Sequence, residues 1–342
     1  MMKGSINLKS ILLLATGGTI ASGEAVKGTG LNPQLTSQDI LGYINEHAPG
    51  YSVSYEDLFS LDSSNIQPEE WQAIAQKVYD NIDKYDGIVI THGTDTMAYS
   101  AAALSFMLRN VKKSVVITGS QLPISNPTTD AKTNLYTAIA AVENDITGVT
   151  VAFNRKIING TRAVKVSTMG FDAFESVNCP YMGQIFADGM RIKQNRTIDF
   201  DGSEETKLYK DLCTDVFLLK LVPGTKPELF DAIADMGYKG IVIEAFGSGG
   251  IHYLNRDLLE KIKTLIARGI VVVVCSQCLY EKSDLSIYQV GRQIMDKGVI
   301  SGLDMTTEAI VTKLMWALGQ AKTSEGVKEI FAENIAGEVS FK

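Results

Sequence analysis

The chain has 342 residues, 45% of them hydrophobic and 21% charged, with 32 Lys and Arg against 39 Asp and Glu for a net charge of −7. That length exceeds what one hydrophobic core usually fills, so two domains are predicted in an ordinary globular protein. Basic residues run no longer than the pair Lys112-Lys113, which argues against nucleic acid as a partner because phosphate binding needs clustered Lys and Arg. No apolar run approaches the ~20 residues of a membrane span, and no membrane partner is expected.

Met1 to Ser10 carries no long apolar region followed by a small-residue cleavage site, so a cytoplasmic protein is expected. Ile11 to Ala15 is five apolar residues in a row, too short for a helix of its own and rich enough for a strand buried on both faces. Gly17 and Gly18 then remove side chains where this strand ends, so the backbone can take φ > 0 and a small ligand can approach the main chain. Thr19 is thereby placed at the strand's mouth as a candidate nucleophile, which needs a base or a tuned neighbour. Taken alone, it is a threonine in a glycine turn.

Ser22 to Pro33 is glycine-rich and reads as a loop. Ser22 to Gly30 holds no bulky apolar residue except Val26, so it cannot offset its ordering entropy and is expected to act as a lid, with Leu31 closing over Thr19. Thr36 or Ser37 can cap a short helix running to Ile44, and Val53 to Leu58 can be a strand leading to Leu61-Asp62-Ser63-Ser64. Pro68 suits a first helical turn and is followed by Glu69-Glu70 near the positive end of the helix, with Trp71, Ile74, Ala75 and Val78 at helical spacing.

A second buried strand, Gly87 to Ile90, runs into Thr91-His92-Gly93-Thr94-Asp95-Thr96. Met97 to Leu108 is almost wholly apolar or small and predicts a deeply buried helix. Its N-terminus would offer backbone N–H groups to an anion. Strand Val115 to Thr118 ends in Gly119-Ser120-Gln121-Leu122-Pro123, and helix Asp130 to Val142 leads into strand Val149 to Phe153. Alternation of strand and helix predicts a mostly parallel sheet covered on both faces, with ligands beyond the carboxyl ends of its strands. Thr19, Ser63, Thr94 with Asp95, and Ser120 all stand just past apolar runs.

From Lys156 to about Asp201 the pattern loosens, with Asn159-Gly160 as an expected hairpin turn. The polar stretch from Asp199 onward is the linker candidate. A shorter alternating series follows: strand Val216 to Leu221, helix Lys226 to Met236, strand Gly240 to Ile243, the turn Gly247 to Gly250, helix Arg256 to Ala267 and strand Ile270 to Val274. Helices Thr307 to Leu318 and Gly326 to Phe331 close the chain. The expected fold is α/β with two three-layer domains. Residues 1–198 form the larger catalytic domain on a flavodoxin-like, mostly parallel sheet, 199–213 the linker, and 214–342 a smaller parallel-sheet domain. Cys275-Ser-Gln-Cys278 matches C-x-x-C, but Val271 to Val274 makes it the end of a buried strand, and only three histidines exist to complete a metal shell. Neither a metal nor another cofactor is expected.

Two segments, Thr16 to Ile20 (T-G-G-T-I) and His92 to Thr96 (H-G-T-D-T), in this order and with Asp62-Ser63-Ser64 between them and Lys165 after them, give the chain a specific resemblance. It is similar to the bacterial-type L-asparaginases of the cytoplasmic type I kind, from about Ile11 through Thr307-Glu308-Ala309. The resemblance implies that Thr19 attacks the side-chain amide of L-asparagine, and that Lys165 takes a proton through Thr94 while Asp95 orients it. It implies further that Ser63, with the neighbouring Asp62 and Ser64, holds the substrate α-carboxylate, that Asp95 takes the α-ammonium, and that Ser120 lines the same pocket. A homodimer or homotetramer is implied as well.

The residue types suit these roles, since hydroxyls and N–H groups donate to a carboxylate and a carboxylate accepts from ammonium. Asp95 on its own would be a helix N-cap, Lys165 a solvated surface charge, and His92 a residue that fixes its loop by hydrogen bonds. The chain departs from the family in three places. Its glycine-rich loop has no tyrosine to partner Thr19, with Leu31 near the matching place. Ser248 stands where many relatives have an asparagine that reaches a neighbouring subunit. Glu244 stands where some type I members use an arginine, with a cysteine matched by Cys278, to bind asparagine as a regulator, so that regulation is not expected. Two other functions fit the motifs: the asparaginase-like subunit of an archaeal-type tRNA-dependent amidotransferase, and a non-catalytic amino-acid sensor, which intact Thr19, Thr94, Asp95 and Lys165 weigh against.

Overall fold

The computed structural model describes residues 9–21, 40–42, 44, 50–193, 204–287 and 289–340. The expected lid, Ser22 to Gly30 with Leu31, lies outside the described residues, as does the expected helix before Ile44 apart from residues 40–42 and 44. The chain divides into two compact units, Met1–Ser176 with Pro180–Leu208, and Val177–Cys179 with Tyr209–Lys342.

The first unit is built on an eight-stranded sheet. β1 (Lys9–Gly17) pairs in parallel with β2 (Tyr51–Leu61) on one side and β3 (Gly87–Thr91) on the other. β4 (Leu108–Arg109) lies outside this sheet, whereas β5 (Ser114–Thr118) and β6 (Gly148–Phe153) continue it in parallel beyond β3. The spatial order β2-β1-β3-β5-β6 is that of flavodoxin-like sheets. Ile11, Leu13, Val89 and Val116 fill one face against Leu135, Ala138 and Val142, while Leu12, Leu14, Ile88 and Ile90 are buried on the other. Strands covered on both faces leave no reason for polar alternation, which explains their continuous apolar runs.

Among the described residues, α1 (Pro68–Asn81), α2 (Met97–Met107) and α3 (Ala131–Glu143) serve this sheet, and the helical residues Ile40 and Ile44 join its core. In α1, Glu70 accepts from the backbone N–H of Gln67 at 2.8 Å, and Trp71, Ile74, Ala75 and Val78 form the buried stripe. Every residue of α2 except Tyr99 is buried, so this helix sits under the site rather than on the surface.

Beyond β6 the sheet turns antiparallel through β7 (Lys156–Asn159). Two small strands, β8 (Ala163–Lys165) and β9 (Phe174–Ser176), pair only with each other, and β10 (Gly183–Phe186) and β11 (Gly189–Ile192) complete the large sheet. The expected hairpin turn at Asn159-Gly160 is corrected here. The hairpin joins β6 to β7 through Asn154 and Arg155, whose φ values of 46° and 62° are those of a two-residue turn matching strand twist. Arginine is an unusual occupant of a left-handed position, so this turn carries little signal. Asn159 to Arg162 instead makes a tight bend, Arg162 N donating to Asn159 O at 2.9 Å. Within the stretch read as a linker, β12 (Lys207–Leu208) pairs with β4.

The second unit is a four-stranded parallel sheet, β13 (Val216–Lys220), β14 (Gly240–Ala245), β15 (Val271–Ser276) and β16 (Ile300–Ser301), in that spatial order. Its helices are α4 (Glu228–Asp235), α5 (Leu258–Ala267), α6 (Gln289–Met295), α7 (Thr307–Gln320) and α8 (Ser324–Ala332). The helix expected from Arg256 begins at Leu258, because the Asp257 carboxylate caps it by accepting from the N–H groups of Leu259 and Glu260. Lys313 on α7 and Glu338 form an ion pair of 2.6 Å with neither side chain exposed. Lys313 also donates to Glu333 O at 2.7 Å, and the Glu338 carboxylate accepts from the N–H groups of Ile335 and Ala336.

Cys275 is buried at the end of β15, and burial followed by the charge of Glu244 pushes its thiol up to about 12, which makes it a poor nucleophile at neutral pH. Cys278 is exposed. On α7, burial, with a further push from Glu244, raises the Glu308 carboxyl from 4.5 to about 7. A carboxyl that holds its proton more tightly when folded binds more protons in the native state between pH 4.5 and 7, so its penalty on stability grows across that window and is complete above it. Glu308→Gln removes the penalty. Its melting temperature should match wild type below pH 4.5 and exceed it increasingly toward pH 7; a constant offset across that range would contradict this assignment.

Candidate active site

The site forms at the carboxyl ends of β1, β3 and β5, where the crevice of a parallel sheet lies. Gly17 and Gly18 take φ of 103° and 84°. A Cβ on Gly17 would stand 2.3 Å from Leu61 O, and one on Gly18 2.4 Å from Gly93 N, so neither position accepts a side chain without moving backbone. Gly18 N donates to Leu61 O at 3.0 Å. These approaches press the turn against both neighbouring loops and set Thr19, in a short 3-10 turn from Thr19 to Ala21, one residue from the Gly18–Gly93 contact.

The loop after β3 is held from below. His92 is buried, and its Nδ1 lies 2.7 Å from Gly93 O while its Nε2 lies 2.9 Å from Ser100 Oγ. A carbonyl can only accept, so Nδ1 carries the hydrogen and Nε2 accepts from Ser100. Ser100 Oγ accepts in turn from Trp71 Nε1 at 2.9 Å. Burial holds the His92 pKa below its ordinary value, in keeping with a neutral ring whose two nitrogens are both engaged. His92 therefore fixes the loop.

Above it, Lys165 Nζ donates to Thr94 Oγ1 at 2.8 Å and to Asp95 Oδ1 at 2.6 Å. Lys165 is the last residue of β8 and is not a solvated charge, its side chain being 17% exposed against 65% for Asp95. Asp95 does not cap α2; that place belongs to Thr96. Ser63 is buried and joins the cluster, its Oγ accepting from Asp95 N at 3.2 Å and its carbonyl from Thr96 Oγ1 at 2.7 Å. Gly93 must be glycine here, since a Cβ would stand 2.6 Å from Ser63 Oγ.

The other three expected residues stand differently. Asp62 caps the 3-10 turn Ser63–Asn65, accepting from Ser64 N at 2.8 Å and Ser64 Oγ at 2.7 Å. Those bonds from Ser64 keep the Asp62 carboxyl below its ordinary pKa, so Asp62 and Ser64 shape the turn that presents Ser63. Ser120 is buried and donates to Leu122 O at 2.6 Å. Two contributors were not singled out from sequence. Asp130, at the head of α3, accepts from the N–H groups of Gln121 and Leu122 at 3.0 to 3.1 Å, and from Asn134 Nδ2 at 3.0 Å. Gln121 reaches Thr94 itself, its Oε1 lying 3.4 Å from Thr94 Oγ1. The only sequence signal for Gln121 was its place beside Ser120 past a buried strand.

Two family models match the chain: Asparaginase, N-terminal, over residues 10–198, and Glutaminase/Asparaginase C-terminal domain, over residues 215–331. With the fold, these matches define an amidohydrolase. The chain belongs to the asparaginase family. It is 43% identical to the L-asparaginase of Thermococcus kodakarensis over 96% of this chain and 99% of that one. It is 33% identical to a glutamyl-tRNA(Gln) amidotransferase subunit of Pyrococcus abyssi, over 99% of this chain and 79% of that one. Among solved structures it matches the thermostable L-asparaginase from Thermococcus kodakarensis with a TM-score of 0.91, at 42% identity over 97% of this chain and 100% of the other. It matches L-asparaginase I from Vibrio cholerae with a TM-score of 0.88, at 33% identity over 97% of this chain and 99% of the other. Among the described residues, no helix is long and apolar enough to cross a membrane.

Proposed function

We propose that the chain hydrolyses the side-chain amide of L-asparagine to L-aspartate and ammonia through an ester formed on Thr19. The observation that carries this reading is the Thr94–Lys165–Asp95 cluster beside the glycine turn that delivers Thr19. Thr19 Oγ1 attacks the amide carbon and gives up its proton, the C–N bond breaks, and the nitrogen leaves as ammonia. Water then adds to the aspartyl ester, aspartate departs, and the threonine hydroxyl is restored. Lys165, as a neutral amine, accepts the proton through Thr94, and Asp95 holds its nitrogen in place.

Substrate recognition uses the same cluster. A carboxylate has two oxygens, so Asp95 can hold Lys165 with one and accept the α-ammonium with the other. Ser63 and the backbone around it donate to the α-carboxylate. The protein acts in the cytoplasm as a homodimer or homotetramer and needs no cofactor.

The identity to an L-asparaginase, 43%, exceeds that to the amidotransferase subunit, 33%, and favours free asparagine over an aminoacyl-tRNA pathway. Ammonia release should be measured from free asparagine, free glutamine, and glutamine in the presence of glutamyl-tRNA(Gln) with amidotransferase partner subunits. Turnover of free asparagine well above that of either glutamine arm is the expected result; release only in the tRNA arm would assign the chain to the amidotransferase reaction, and release in no arm would make it a sensor.

A further inference from the structure

Gln121 bonds at both ends of its side chain, and the two ends differ chemically. Its Nε2 donates to Thr168 O at 3.2 Å and to Gly170 O at 3.0 Å. Both acceptors are carbonyls, so the amide cannot be flipped: the NH₂ must face them and Oε1 must face Thr94. The main chain is fixed independently, because Asp130 takes the N–H groups of Gln121 and Leu122. An amide oxygen is thus delivered 3.4 Å from Thr94 Oγ1, on a side chain tied to the segment that follows Lys165.

Thr94 has one hydroxyl hydrogen. An ammonium has only donors, so while Lys165 Nζ donates to Thr94 Oγ1 at 2.8 Å the Thr94 hydrogen must point elsewhere. It points to Gln121 Oε1. A neutral Lys165 amine carries a lone pair, and the Thr94 hydrogen can then swing from Gln121 to Lys165. At 3.4 Å the resting bond is long for O–H···O, which keeps the swing inexpensive, and such bonds commonly tighten in a substrate complex.

Building on the amide-hydrolysis reading above, we infer that Gln121 is a positioning residue for the reaction: its carbonyl oxygen parks the Thr94 hydroxyl hydrogen and leaves a Thr94 lone pair facing the proton path. Gln121 need not touch substrate for this. It acts through Thr94, and its effect vanishes when the Thr94 hydroxyl is absent. A purely structural Gln121, serving only to tether residues 168 to 170, would act whether or not Thr94 has a hydroxyl.

The test is a double-mutant cycle on asparagine hydrolysis with Thr94→Val and Gln121→Leu, each read as kcat and KM separately. Thr94→Val alone should lower kcat by on the order of 10²-fold. If it does not, the relay reading of the site fails, whatever Gln121 does. Given that loss, Gln121→Leu should lower kcat about tenfold or more with KM nearly unchanged, and should add nothing in the Thr94→Val background. Equal losses in both backgrounds, or a change confined to KM, would overturn the inference. A second variant, Gln121→Glu, keeps an oxygen toward Thr94 but loses the NH₂ that tethers residues 168 to 170. It should retain more of wild-type kcat than Gln121→Leu, whereas a tether role predicts that it retains as little or less. If Gln121→Leu fails to fold, as judged by its circular dichroism, Gln121→Met replaces it in the cycle with the same expectations.

Discussion

Thr19→Val should abolish ammonia release from asparagine while leaving the fold and aspartate binding in place. The substitution exchanges a hydroxyl for a methyl of nearly the same size on a half-buried residue, so the turn set by Gly17 and Gly18 has no steric reason to change. It removes the atom that, in the proposed scheme, attacks the amide carbon and displaces ammonia. Covalent catalysis then has no alternative route, and Thr94 and Lys165 are left able to polarise but not to attack. The loss should exceed the on the order of 10² given up when a proton-transfer group alone is removed. Rapid-quench mass spectrometry should also find an aspartyl adduct on wild type and none on the variant. Turnover of the variant near wild type would remove Thr19 from the mechanism.

The largest effect on stability should come from Glu338→Ala. The ion pair between Glu338 and Lys313 is wholly buried at 2.6 Å, and the same carboxylate holds the N–H groups of Ile335 and Ala336. Removing it takes the counter-charge from a buried ammonium, which keeps its bond to Glu333 O, and takes an acceptor from two amides, which should cost about 3–5 kcal/mol. Lys313→Met should cost less, because the carboxylate it leaves behind keeps both amide donors. Urea unfolding of the three proteins gives the ranking. A loss under about 1 kcal/mol for Glu338→Ala would mean that the chain end packs without this clamp.

The alternation of apolar runs and helical stripes was enough to read both parallel sheets, because strands buried on two faces must be continuously apolar and their connecting helices must not be. The glycines at 17 and 18 were legible for a similar reason, since backbone contacts that exclude a Cβ leave a mark in sequence. Polar positioning was harder. Nothing about Gln121 or Asp130 distinguishes them from surface residues until the chain closes Thr94 to within 3.4 Å of one and brings the amides of a neighbouring loop to the other. The hairpin that turns the large sheet antiparallel was misplaced at Asn159-Gly160 because its turn uses Asn154 and Arg155 at positive φ, where a glycine would have announced it. Nothing in the sequence marks Lys313 and Glu338 as a pair, since their burial depends on a contact 25 residues apart.

The hydrogen-bonded file from Trp71 through Ser100 and His92 to Gly93 also equips the molecule with an optical probe. The chain has two tryptophans, and each compact unit holds one: Trp71 ends its indole on Ser100 under the 92–94 loop, and Trp316 donates to Tyr209 O at 3.0 Å in the other unit. Indole emission responds to what its N–H is bonded to. Trp316→Phe therefore leaves a protein whose remaining tryptophan fluorescence comes from beneath the loop that carries Thr94, and Trp71→Phe leaves one that reports on the second unit alone. Ligand arrival and the unfolding of either half become separately visible without an added label.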